Sequence, residues 1–430
     1  MYPNLYYVFK DLFGLEIENL RFVNSFGFFV AIAFIIAAIV LSKELQRKSS
    51  QGLFQPTEMQ IMVGEPAKWS DLLLNFLLGF FLGYKILALF ILNNSATDDP
   101  QAFIFSLNGS WAAGIGLGLL FAGLKWWEKK KTLLPKPEKR NVRIWPHDRV
   151  GEITILALIF GLLGAKLFDI FENWSDFLNK PSSYIFSPSG LTWYGGLICA
   201  SLAIWWYAKK HKITFWHLND AAAPALMLAY AIGRIGCQMA GDGDWGVYNS
   251  AYAVNDKAEI SLATPGNFDS TIKTNATYFI QRFDSLPNVP SANFPKPKSL
   301  IFLPNWLFAY DYPHNVNEDG ISLADCNDKY CNHLPVPVFP TPFYETIMCF
   351  ILFGFIWAVR KRFKVPGTLF GFYLILVGLE RFFIEKIRVN IQMDFGGMQV
   401  TQAEIISVLM ILTGAGLWFM LPKRKTTSNS

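Results

Sequence analysis

Apolar residues fall along the chain in blocks of roughly 20, the length of helix that crosses a hydrocarbon core. Nine blocks can be read, at 25–41, 72–92, 111–127, 153–171, 191–207, 221–240, 343–359, 368–387 and 403–421. Their length predicts an all-α polytopic membrane protein with about nine transmembrane helices. The helical body covers 1–241 and 342–430. Between them, 242–341 is proline-rich, with scattered aromatics and few long apolar runs. It is expected to form an irregular, partly extended extracytoplasmic cap between helices six and seven. Asp11, Glu16 and Glu18 precede the first block, where a signal peptide would carry a basic flank. The first block is therefore expected to remain as a membrane helix.

Composition agrees with this pattern. The 430 residues are 52% hydrophobic and 17% charged, against about 25% charged in an average soluble domain. Those figures exclude disorder, a fibrous repeat and a disulfide scaffold.

The placement of charge sets an orientation. Lys43, Arg47 and Lys48 follow the first block, and 125–149 holds nine Lys/Arg against three acids. Lys209, Lys210 and Lys212 follow the fifth block, Arg360, Lys361, Arg362 and Lys364 the seventh, and Lys423, Arg424 and Lys425 the ninth. The intervening loops carry Asp98 and Asp99, then Glu172 and Asp176, and the cap has eleven acids against six Lys/Arg. Basic short loops mark the cytoplasmic side. The N-terminus and the cap are thus expected outside and the C-terminus inside. The net charge of +5 follows from this topology, and no nucleic-acid partner is read into it.

A shift of 81 residues aligns two hairpins: Lys68 with Arg149, Asp71 with Glu152, Gly83 with Gly164, Lys85 with Lys166, Phe103-Ile-Phe-Ser106 with Tyr184-Ile-Phe-Ser187, Gly109 with Gly190 and Gly114 with Gly195. This suggests that 70–127 is a duplicated two-helix unit. In the cap, Cys326 and Cys331 form a C-x4-C pair. An oxidising compartment permits a disulfide there, and two free thiols are the alternative.

Ionisable residues inside membrane helices are costly and usually functional. Three groups stand out. In Gly233-Arg-Ile-Gly-Cys-Gln-Met-Ala-Gly-Asp-Gly-Asp-Trp-Gly246, Arg234 and Gln238 share a helix face ahead of Gly241, Asp242, Gly243, Asp244 and Gly246. Arg381, Glu385 and Arg388 recur at i, i+4 and i+7, one helical stripe. Thr192-Trp-Tyr-Gly-Gly196 opens the fifth block, after Lys166 and Asp169. Arginine is suited to bidentate phosphate recognition, and glycines let backbone N–H groups approach an anion. A phospholipid headgroup fits these features. The alternatives are ion pairs that merely hold helices together, a transporter of a small anion or lipid, and a membrane scaffold.

The same residues resemble the signature of the prolipoprotein diacylglyceryl transferase family. Gly233-Arg-Ile-Gly236 with Gly241, Asp242 and Trp245-Gly246 looks like the family's central motif. In chain order, so do Gly161-Leu-Leu-Gly-Ala-Lys-Leu-Phe168, Gly190-Leu-Thr-Trp-Tyr-Gly-Gly-Leu-Ile198, Asp220-Ala-Ala-Ala-Pro-Ala225, Pro340-Thr-Pro-Phe-Tyr-Glu345, Arg381-Phe-Phe-Ile-Glu385 and Thr401-Gln402. The resemblance implies transfer of the diacylglyceryl group of phosphatidylglycerol to the lipobox cysteine of prolipoproteins in the bacterial inner membrane. The products would be a thioether and glycerol 1-phosphate. Neither a cofactor nor a metal is implied. Arg234, Arg381, Asp242 and Glu385 would be catalytic, with Glu385 orienting Arg381. Tyr194, Gly195, Gly196, Gln238, Gly241 and Gly246 would line the substrate, and Glu345 and Asp220 would be structural. The chain departs from the family pattern with Tyr194 where histidine is common, Cys237 at an asparagine, one residue inserted between Arg234 and Gly246, and a long outer loop.

Overall fold

The computed structural model describes residues 1–91, 103, 107–186, 192–255, 258–324, 326–390, 392–395 and 398–426. Asp98, Asp99, Ile104, Phe105, Ser106, Ser187 and Gly190 of the sequence reading lie outside them. Twelve α-helices of eight residues or more organise the described chain. They are α1 Leu5–Phe13, α2 Ser25–Ser50, α3 Trp69–Phe81, α4 Trp111–Lys131, α5 Val150–Glu172, α6 Trp193–Lys210, α7 Phe215–Ala240, α8 Asn267–Thr274, α9 Ala276–Phe283, α10 Thr341–Val359, α11 Thr368–Glu385 and α12 Gln402–Thr426. All nine apolar blocks are helical over most of their described length. Among the described residues five stretches are long and apolar enough to cross a membrane: Ser25–Ser50, Trp69–Ile91, Pro146–Glu172, Thr341–Val359 and Gln402–Leu421. Helices α4, α6, α7 and α11 fall short of that measure, each carrying charged groups and glycines or tryptophans within its run.

The chain divides into two compact units. One comprises Phe9–Phe22 and Leu41–Leu218, and glycines set its packing. A Cβ on Gly83 would strike the Ala113 carbonyl and lie 2.9 Å from the Gly114 Cα. One on Gly164 would strike the Gly195 carbonyl and lie 2.5 Å from the Cys199 Cβ. The α3–α4 and α5–α6 hairpins thus close on glycines related by the 81-residue shift. Past α3 the helix loosens into a π turn over Leu82–Leu87, which carries the buried Lys85. Its Nζ donates to the carbonyls of Phe103 (2.9 Å) and Asn108 (2.6 Å), so the charge is met by backbone dipoles. The sequence reading did not anticipate the antiparallel ribbon between β1 Thr57–Val63 and β2 Glu138–Ile144, with Thr57 opposite Ile144 and Val63 opposite Glu138.

The second unit comprises Met1–Val8, Val23–Val40 and Asn219–Ser430. Its helical core is Ala223, Met227, Ala231, Cys349, Ile356 and Leu369. Helices α11 and α12 approach closely, because a Cβ on Gly371 or Gly378 would lie 2.8 Å from the carbonyls of Gly414 and Ser407 respectively. The buried Asp220 accepts the N–H groups of Gly367 and Phe370, each at 2.9 Å. It thereby caps the start of α11 from another helix. Asp220→Ala is expected to cost about 1–3 kcal/mol, the penalty for stranding buried donors. Thermal unfolding in detergent should show the loss, with transfer per folded molecule retained.

The cap is more ordered than its sequence suggested. It contains α8, α9, a short hairpin of β3 Tyr252–Val254 and β4 Ile260–Leu262, and two-residue ladders. Trp245, Tyr248, Ile272, Phe279, Val289, Tyr312, Leu334, Val336 and Val338 form its core. These residues come from loops as well as from short elements, so no helical or strand period marks them in the sequence. Buried Asn249 substitutes for regular pairing. Its amide donates to the carbonyls of Phe294 (2.9 Å) and Phe308 (3.0 Å) and accepts the N–H of Phe294 (3.1 Å). A disulfide joins Cys326 and Cys331, with Cα atoms 5.5 Å apart.

Candidate active site

Glu345, in the second turn of α10, has no solvent exposure and forms the centre of the site. Tyr230 Oη donates to its Oε2 at 2.8 Å, and Arg234 Nε lies 2.5 Å from the same oxygen. Arg388 Nη1 lies 3.3 Å from Oε1, with Arg381 Nη1 at 3.8 Å. One carboxylate therefore gathers guanidiniums from α7, from α11 and from just beyond α11. Helical spacing explains the convergence. Tyr230 and Arg234 are i, i+4 on α7, while Arg381, Glu385 and Arg388 form the stripe read from the sequence. Glu385 pairs with Arg381 Nη2 at 3.2 Å and accepts from Asn390 Nδ2 at 2.6 Å.

A second carboxylate closes the other side. Asp244 pairs through Oδ2 with Arg234 and through Oδ1 with Arg388 Nη2 at 2.5 Å. Burial alone would raise its pKa, but the guanidiniums of Arg234 and Arg388 outweigh it and hold it at about 2. Three guanidiniums thus face the carboxylates of Glu345, Glu385 and Asp244. Arg381 Nη1 and Arg388 Nε make no hydrogen bond among the described residues, although Arg381 Nη1 faces Glu345 in an ion pair.

Asp242 faces the N–H of residue 244 at 3.4 Å and the Cys237 side chain, and burial followed by the charge of Asp244 raises its pKa. Two left-handed glycines, Gly241 (φ +65°) and Gly243 (φ +96°), turn the loop so that Asp244 reaches the arginines. Gly246 is held by its N–H to Phe339 O (2.8 Å), and a Cβ there would lie 2.6 Å from Ile387 O. Gln238 accepts from Tyr312 Oη of the cap core at 2.9 Å.

Tyr194, Gly195 and Gly196 belong to the other compact unit. There Gly195 and Gly196 have a packing role, since a Cβ on either would lie 2.5 or 2.8 Å from the carbonyls of Gly164 and Gly161 respectively. The sequence reading missed Tyr230 and the pairing role of Asp244, and placed Arg388 in the stripe without a role. The i−4 spacing of Tyr230 from Arg234 was the available signal. Cys237, Asp242 and Asp244 bring potential ligand atoms within 4.8 Å of one another, but two guanidiniums already claim Asp244 and oppose a cation.

Guanidiniums paired with carboxylates where membrane-type helices meet a folded cap mark a membrane protein with a charged, half-buried site. Comparison with known proteins is more specific. The chain belongs to the prolipoprotein diacylglyceryl transferase family, whose model matches residues 109–420. Curated relatives named phosphatidylglycerol–prolipoprotein diacylglyceryl transferase include one from Leptospira interrogans, 26% identical over 349 residues and covering 69% of this chain and 87% of the relative. Another, from Dehalococcoides mccartyi, is 25% identical over 331 residues, covering 76% and 96%. A third, from Clostridium novyi, is 26% identical over 268 residues, covering 62% and 77%.

Proposed function

We propose that this protein transfers the diacylglyceryl group of phosphatidylglycerol to the lipobox cysteine of prolipoproteins. The thiol sulfur attacks the glycerol carbon and the carbon–oxygen bond to phosphate breaks. The thiol proton passes to the departing phosphate, which leaves with the electron pair as glycerol 1-phosphate. The cage of Arg234, Arg381 and Arg388 around Glu345 carries this reading. In a site screened from water, guanidiniums stabilise the charge that develops on the phosphate far better than they would in solution. Arg234 and Arg381 hold the phosphate, Glu385 positions Arg381, and Gly241 and Gly246 allow the backbone to close around the headgroup. Nine helices span a bacterial inner membrane, with the N-terminus and cap outside and the C-terminus inside. The alternation of basic and acidic loops supports that orientation. The α3–α4 hairpin is a duplicate of α5–α6, supported by their matching glycine contacts.

Purified protein supplied with phosphatidylglycerol and a lipobox peptide should add the mass of one diacylglyceryl group to the cysteine. Folded protein that leaves the peptide unmodified contradicts the reading. The two loop aspartates should separate in the same assay. Asp244→Asn removes a charge-assisted partner of two arginines, worth about 1.5–3 kcal/mol, and should lower kcat/KM by roughly one to two decades. Asp242→Asn touches neither arginine and should leave kcat/KM near that of the unaltered protein.

A further inference from the structure

Two of the most exposed apolar side chains in the cap are adjacent, Ile301 at 75% and Phe302 at 76% exposure. Their loop is built and held. Leu300 N donates to Pro297 O (2.9 Å), and Leu303 N donates to Leu300 O (3.0 Å). Lys296 Nζ donates to the carbonyls of Ile301 (3.3 Å) and Leu303 (2.8 Å), while the Lys296 N–H is held by Tyr252 Oη at 3.0 Å. An apolar pair presented this way needs an apolar environment.

The base of the loop shows which one. Trp306 packs edge-on against Phe343, with ring centroids 5.0 Å apart, and Tyr344 Oη donates to Leu307 O. Phe343 stands in the first turn of α10, at the head of a stripe that continues through Ile347, Phe350, Ile351 and Phe355, exposed by 44, 39, 65 and 49%. Glu345, Cys349 and Ile356 face the opposite way and are fully buried. On the reading that α10 spans the membrane, the exposed stripe is its face turned to lipid. The loop extends that face at the level where α10 begins, with a tryptophan at the junction, as at membrane interfaces. Lys296 and Lys298 are the charged residues in 285–309.

We propose that residues 297–304 form an anchoring finger that dips Ile301 and Phe302 into the outer leaflet of the bilayer. Lys298 then lies among anionic phospholipid headgroups. The finger ties the cap to the membrane beside the helix that carries Glu345. This rests on the reading that α10 spans the membrane with the cap outside.

The test is photocrosslinking of the full chain in nanodiscs containing labelled phosphatidylglycerol. Benzoylphenylalanine replaces Phe302 in one sample and Ile351 of the α10 stripe in another. The finger predicts labelled lipid adducts at position 302 as strong as those at 351. Lipid adducts at 351 with none at 302, or protein adducts at 302, overturn the finger while leaving α10 in the membrane. Loss of lipid adducts at both positions overturns the span reading together with the finger.

Discussion

Glu345→Ala should leave the protein unable to accumulate, or should lower its stability by about 3–5 kcal/mol, the range for removing one partner of a buried ion pair. The reason is the number of groups that share this carboxylate. Tyr230 Oη, Arg234, Arg381 and Arg388 all converge on it, and its side chain has no exposure to water. Without it, the guanidiniums of Arg234, Arg381 and Arg388 face one another with Asp244 and Glu385 as their remaining ion-pair partners among the described residues. Glu345→Gln preserves the volume and an acceptor for Tyr230 but not the charge, so it should fall between the unaltered protein and Glu345→Ala. Thermal unfolding in detergent ranks the three. Equal midpoints would show that the cage does not depend on this carboxylate.

Arg234→Ala and Arg381→Ala should insert and fold yet lose transfer by about two to three decades or more, the scale for removing one donor from a site of developing negative charge. Both arginines are partly accessible, with side-chain exposures of 14% and 22%. Their loss therefore leaves less uncompensated burial than the loss of Glu345. Lysine at position 234 retains charge but not the planar fork that meets Glu345 and Asp244 together, so Arg234→Lys should recover little activity. Transfer rates per folded molecule check all three. Rates near that of the unaltered protein in either alanine variant would show that its arginine does not act on the phosphate.

Features with a helical period were legible in the sequence. The apolar blocks became helices, and the stripe of Arg381, Glu385 and Arg388 became one wall of the site. Aperiodic features were not legible. Asp242 and Asp244 are near-identical neighbours on paper, and the left-handed turns at Gly241 and Gly243 decide which one reaches the arginines. Gly195 and Gly196, which the resemblance places beside the substrate, also meet a packing demand, because a close backbone approach to a ligand and one to a neighbouring helix call for the same residue. The cap's aromatic core draws on residues from Trp245 to Val338, contacts too distant in sequence for any local pattern. The β1–β2 ribbon escaped notice for the same reason, since a whole helical hairpin separates its strands.

The central claim is that the arginine cage drives cleavage of phosphatidylglycerol at the bond to phosphate. The most direct measurement counts the glycerol 1-phosphate released for each thioether formed on a lipobox peptide, in the unaltered protein beside Arg234→Ala and Arg381→Ala. The account predicts one released for each thioether in the unaltered protein and neither product from the variants. Thioether formation at an undiminished rate in either variant, or thioether without glycerol 1-phosphate in the unaltered protein, would contradict it.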